Sequence, residues 1–130
     1  VALGSDEVAG FYSRGSGHRA PLRVDRPAEA ARLIAIQRTL GLHTGILVTV
    51  PLPAEVALPA EEVAEAVARA EGEAHEAGVH GPASTPFVLS RVAEITDGRS
   101  VTANLEIIRR DALTAGHVAV ALSHLGQGPA

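Results

Sequence analysis

One stretch constrains the fold more than any other. Gly45-Ile46-Leu47-Val48-Thr49-Val50 is a continuous, largely β-branched run between turn signals, and Pro51-Leu52-Pro53 ends it. A strand with one wet face would alternate apolar and polar residues. An unbroken run predicts a strand buried on both faces, as in an α/β sheet covered by helices.

The rest of the chain supplies helices for such a sheet. Asp25-Arg26-Pro27 is a helix start, with a capping acid and a nearby proline. Ala30, Leu33, Ile34 and Leu40 follow at near-helical spacing, and Gly41 stops the helix. An acidic segment from Pro59 to Gly78 places Val63, Ala66, Val67 and Ala70 on one face, with its Glu run from Glu61 to Glu76 on a solvated side. Ser84-Thr85-Pro86 predicts another start, with a hydroxyl cap, for a helix reaching about Thr96 and closed by Asp97-Gly98. A long helix follows from about Ser100 to Leu125. Its apolar face reads as Val101, Leu105, Ile108, Ala112 and Ala115. Gly126 to Ala130 is a loose tail.

Further strands are short: Val1–Leu3 and Leu22–Val24. Between them, Ser5 or Asp6 is expected to cap a brief helical turn through Tyr12, and Ser13-Arg14-Gly15-Ser16-Gly17 to form a flexible loop. Val79–Ala83 is a connector with a short extended piece. Four helices are too many for two or three strands. The chain is expected to be part of a larger layered α/β/α sheet, in keeping with a start at Val1 and no methionine, which reads as an excised or processed piece.

Composition narrows the function classes. The net charge is −4, no basic stripe appears, and one Tyr and two Phe leave little for base stacking, so nucleic acid is a poor partner. There is no cysteine, hence no disulfide or zinc-finger spacing. No apolar run reaches the roughly 20 residues of a membrane span, and a cytoplasmic protein is the default expectation. Every basic residue other than histidine is arginine. Lysine Schiff-base chemistry cannot originate in this chain.

Six histidines invite a metal hypothesis that their spacing does not support. His75 and His80 lie at the end of a Glu-rich helix, His117 and His124 are seven apart with no third ligand between, and His18 and His43 sit in turns. No metal ligand is assigned. Gly15-Ser16-Gly17 lacks the pattern of a phosphate loop and reads as a crossover. Asn104 stands beside the apolar face of the last helix. It is either a satisfied buried amide or an amide held near a pocket. Asp111, seven residues on, shares that face about 11 Å along the axis. Arg110 reads as solvated.

Five segments together resemble the second half of pseudouridine-5′-phosphate glycosidases, the indigoidine-synthase-A-like proteins. They are Ser5-Asp6-Glu7 through Phe11-Tyr12-Ser13-Arg14, Leu22-Arg23-Val24-Asp25, Gly45-Ile46-Leu47-Val48 with Pro51-Leu52-Pro53, Ser84-Thr85-Pro86-Phe87-Val88-Leu89 through Glu94, and Gly98-Arg99-Ser100 through Asn104. The resemblance covers nearly the whole chain. It implies that residues 1–130 are the carboxy-terminal portion of one domain, within a three-layer α/β/α fold around a mixed sheet that is usually a homotrimer. It also implies reversible cleavage of the C–C glycosidic bond of pseudouridine 5′-phosphate to uracil and ribose 5-phosphate. The family's Schiff-base lysine, proton-moving glutamate and Mn²⁺-holding aspartate would all belong to the amino-terminal half.

The family's active-site asparagine falls on Asn104, implied to orient the opened sugar or the base. Val50, Thr85 and Asp111 are the expected substrate contacts. The chain departs from the family around that pocket. Thr49-Val50-Pro51 stands where the family has Ala-Asn-Pro, Arg110-Asp111 where it has paired asparagines, and His43-Thr44-Gly45 at a glycine-rich entry. An apolar wall at Val50 suits a second expectation, a C-ribosyl synthase joining ribose 5-phosphate to an aromatic acceptor. A third is a non-catalytic fragment or assembly module, since the nucleophile is lacking.

Overall fold

A computed structural model describes residues 1–126. The tail beyond Gly126 lies outside the described residues. The elements in order are β1 (Ala2–Leu3), β2 (Arg23–Val24), α1 (Pro27–Thr39), α2 (Ala60–Glu76), a 3-10 turn (Gly81–Ala83), α3 (Ser84–Ile95) and α4 (Arg99–Leu125). The architecture is helix-rich α/β with a small parallel sheet. β1 pairs with β2 in register Ala2 to Arg23 and Leu3 to Val24. On its other side β1 meets the extended segment 45–50 through a parallel bridge, Ala2 to Thr49.

That segment corrects the expectation of a strand buried on both faces. Val50 is buried, but Leu47 is 76% exposed and Ile46 and Val48 are only half-buried. The segment is an edge here: among the described residues no backbone hydrogen bond reaches its outer side. The brief helix expected through Tyr12 is also absent. Residues 6–20 instead fold back on themselves. Glu7 bridges antiparallel to Arg19, Val8 N donates to His18 O at 2.9 Å, and Ala20 N donates to Asp6 O at 2.9 Å. The Gly15–Gly17 stretch is tied down, with Ser13 Oγ donating to Gly15 O at 2.7 Å and Gly17 N donating to Glu7 Oε2 at 3.2 Å.

Helix stops follow backbone chemistry closely. Gly41 has φ +67° and Gly78 has φ +65°, a conformation costing an L side chain about 1–2 kcal/mol. Each follows a helix whose last carbonyls it closes, for α1 through Gly41 N to Arg38 O and Leu42 N to Gln37 O. α3 closes the same way with Asp97 in the glycine position, at φ 51°.

Helix starts depart from expectation. Arg26, not Asp25, precedes α1, and no side chain caps it. The Glu29 carboxylate instead accepts the Asp25 backbone N–H at 2.8 Å. At α3, the Ser84 hydroxyl donates backward to Val79 O at 3.3 Å, so the expected hydroxyl cap does not form.

The core is built of small residues. Leu52, Leu58 and Val92 meet Ala66, Ala70, Ala103 and the Tyr12 ring, with Val63, Val67, Val88 and Ile107 around them. α2 packs on α3 and α1 on α4. α2 presents Ala66, Ala70 and Ala74, all buried. The face of α4 expected to be apolar and inward is outward: Val101, Leu105 and Ile108 are exposed, and Ser100 and Ala103 are the buried residues. Leu40 is likewise exposed. A helical period identifies a stripe, but an apolar stripe can await a neighbour outside the chain.

Thr96 joins α3 to α4. Fully buried, its hydroxyl donates to Val92 O at 2.7 Å and accepts from Ser100 N at 3.2 Å. Thr96→Val keeps the volume and orphans the Ser100 N–H. The expected loss is about 1–3 kcal/mol in urea unfolding, and an unchanged midpoint would refute that account.

Two of the Glu residues assigned to a solvated face are half-buried partners. Glu62 pairs with Arg99, and Glu73 pairs with Arg91 and Arg69. Hydrogen bonds from Arg91 first, then Arg69, hold the Glu73 carboxyl below its ordinary 4.5. A depressed pKa stabilises the fold above that ordinary value, and the stabilisation is lost as pH falls through the lower folded value. Glu73→Gln should therefore flatten the fall of the melting temperature between neutral pH and about pH 3. An equally steep fall in the variant would exclude Glu73 as a source.

Candidate substrate cleft

Three parallel segments end side by side, at Leu3, Val24 and Val50. Open α/β sheets bind ligands outside the carboxyl ends of their strands. Two adjoining clefts lie at the Val50 end. One, of about 460 Å³, runs between Ile46, Val48 and Val50 on one wall and Asp111, Thr114, Val118 and Leu122 of α4 on the other. The second, of about 210 Å³, is bounded by Gly10, Phe11, Thr49, Val50, Ile107 and Asp111. Val48, Val50 and Asp111 line both.

The loop that closes the smaller cleft depends on a glycine. A Cβ at Gly10 would stand 2.2 Å from Ser13 Oγ and 2.8 Å from the carbonyls of Ser13 and Gly15. Phe11 then stacks edge-on against Tyr12, with ring centroids 4.8 Å apart. Ala9 N donates to Thr49 Oγ1 at 3.4 Å, fastening this loop to the 45–50 segment.

The sequence candidates divide. Val50 and Asp111 come together. Asn104 lies in α4, half-buried beside buried Ala103. None of the described hydrogen bonds involves its amide, so among the described residues it is not the satisfied amide of a helix–helix contact. Thr85 lies elsewhere, in a cleft of about 410 Å³ with Glu71, His75, His80, Ser84 and Leu89. The His75 and His80 rings are 6.3 Å apart there. Among the described residues no group of three or more His, Cys, Asp or Glu can hold a metal.

Arg110 corrects its solvated reading. It is half-buried, and among the described residues its Nε has no hydrogen-bond partner. Sequence reasoning passed over Thr114, Gly10 and Phe11. Thr114 was within reach, being one turn after Asp111 and so on its side of the helix. Gly10 and Phe11 take their places from the fold-back of residues 6–20, which no local pattern announces.

The larger cleft is apolar except for Asp111 and Thr114. It can bury a flat or aliphatic group, with one carboxylate and one hydroxyl left to orient it. No helix is long and apolar enough to cross a membrane among the described residues.

Comparison with known proteins gives this arrangement a context. A pseudouridine-5′-phosphate glycosidase of Deinococcus radiodurans is 40% identical over 126 residues, covering 97% of this chain and 40% of the relative. One from Gemmatimonas aurantiaca is 43% identical over 122 residues, covering 94% and 40%. The chain thus spans about two fifths of the length of these curated relatives. Among solved structures, an indigoidine synthase A-like protein of Thermotoga maritima superposes with a TM-score of 0.81 at 30% identity, covering 93% of this chain and 39% of that one. A prealnumycin C-glycosynthase, solved in complex with ribulose 5-phosphate, shares the fold with a TM-score of 0.85 at 24% identity, over 96% of this chain and 41% of that one. The sequence profile described as indigoidine synthase A like protein matches residues 1–121, and the chain belongs to that family.

Proposed function

We propose that this chain works in making or breaking a C-glycosidic bond between ribose 5-phosphate and a base, as the carboxy-terminal portion, residues 1–130, of a single domain. The observation that carries the reading is 40% identity, across 97% of the chain, to a pseudouridine-5′-phosphate glycosidase. In this reading the activity belongs to the complete family fold, acting as a homotrimer in the cytoplasm. The lysine that would form a Schiff base with the opened sugar and the glutamate that would move protons lie on the portion this chain does not span. The described residues do not fit a manganese site. The ion is assigned to that same portion, and no step here runs through it.

The chain's own residues bind and orient. Asn104 carries an amide that can donate to one substrate group and accept from another. Asp111 and Thr114 form the polar end of the cleft at Val50. Such positioning contributes to a near-attack geometry and does not replace the nucleophile. Thr85 would contact substrate only from its separate cleft.

The apolar lining at Val50 favours a second reading, a C-ribosyl synthase with an aromatic acceptor. A buried polar base facing Val50 would leave one group without a partner, a loss of about 1–3 kcal/mol. One comparison tests both. The chain, produced as part of the complete polypeptide, is given pseudouridine 5′-phosphate and, separately, ribose 5-phosphate with an aromatic acceptor. Uracil release supports the first reading, and a new C-ribosyl product supports the second. Neither product from a folded enzyme would sink both.

A further inference from the structure

We infer that the outer edge of segment 45–50, with the groove beside it, receives a β-strand from the part of the family fold that this chain does not span. The inference rests on the reading that the chain works within that longer fold, and it names where the two parts join.

The hydrogen bonding of the segment is one-sided. Val1 N donates to Leu47 O at 3.0 Å, Thr49 N to Val1 O at 2.9 Å, and Leu3 N to Thr49 O at 2.9 Å. Extended backbone alternates, so the peptide groups of Val48 and Val50 point away from β1. Among the described residues no hydrogen bond takes them up. An interior strand has partners on both sides.

The residues are those of an interior strand as well. Natural edges are guarded by charge, proline or a bulge. Residues 45–50 carry no charge and no proline, yet Leu47 is 76% exposed. Beside the edge lies the groove of about 460 Å³, walled by Val118 and Leu122 of α4. Side chains of an added strand would fill it.

The occupant follows from length. This chain spans 40% of the Deinococcus radiodurans relative, and its sheet consists of two two-residue strands. Sheets in globular proteins average about five or six strands. The remaining three fifths of the family fold is therefore the source of the covering strand.

Amide hydrogen exchange tests this on three samples: the isolated chain, a hybrid in which it replaces the stretch it matches in the D. radiodurans relative, and that relative itself. The amides of Val48 and Val50 should exchange rapidly in the isolated chain and at least about 100-fold more slowly in the hybrid. The matching amides of the intact relative should be equally slow, a measurement that does not depend on the hybrid folding. Rapid exchange there, or in a hybrid that melts cooperatively, overturns the inference. So does protection in the isolated chain together with a dimeric or trimeric mass, which would make a second copy the occupant. Turnover of pseudouridine 5′-phosphate is assayed on the same hybrid. A protected edge without turnover leaves the docking intact and counts against the functional reading, whereas turnover with an unprotected edge does the reverse.

Discussion

Asn104→Ala, made in the complete polypeptide, is expected to lower turnover by about 100-fold, the usual consequence of removing one positioned hydrogen-bond donor from a reacting centre. Stability should change little. The side chain is half-buried, and none of the described hydrogen bonds depends on it. The two effects together separate a positioning amide from a structural one. A structural amide would cost stability and leave turnover in place, and that result would remove Asn104 from the site. Asn104→Asp provides a finer reading. It keeps the size and one acceptor and removes the donor, so it should resemble the alanine variant if donation matters.

The largest effect on stability is expected at Leu52. Its side chain is 1% exposed and sits among Tyr12, Leu58, Ala66 and Ala70. Three of the six other buried residues of its cluster are alanines, Ala66, Ala70 and Ala103, which cannot swing inward to fill a hole. Leu52→Ala should therefore fall toward the upper part of the roughly 2–5 kcal/mol range for such truncations. For a domain of this size that is a drop in melting temperature of about 10 °C or more. A fall of only a few degrees would mean that Pro51-Leu52-Pro53 can relax into the space. Leu52→Met, which nearly conserves volume, should cost less than about 1.5 kcal/mol.

How much of this was legible beforehand depended on whether the cause was local. The ends of α1, α2 and α3 could be read because Gly41, Gly78 and Asp97-Gly98 act on their own backbone. The fold-back of residues 6–20 could not. It depends on Glu7 reaching Gly17 across ten positions, and nothing in the intervening residues signals that contact. The helical stripe Val101, Leu105, Ile108 was correctly found and wrongly aimed, because periodicity states that a face is apolar but not which body will cover it. Segment 45–50 is the same case in extended form. Its composition describes a two-sided burial that these residues alone do not provide. For the site, the resemblance pointed to Val50 and Asp111, and both line the same two clefts. Thr85, in the first turn of α3, lines a separate cleft with Glu71, His75 and His80.

The alanine ladder on α2 has a consequence for how this protein can vary. Ala66, Ala70 and Ala74 set the spacing between α2 and α3, and α3 in turn fixes the corner from which α4 departs toward the cleft. An enlargement on that ladder would strain the core that Ala66 and Ala70 share with Val92 of α3 and Ala103 of α4. Sequence drift should therefore be slow on these three buried positions, while exposed Glu71 between them is free to change.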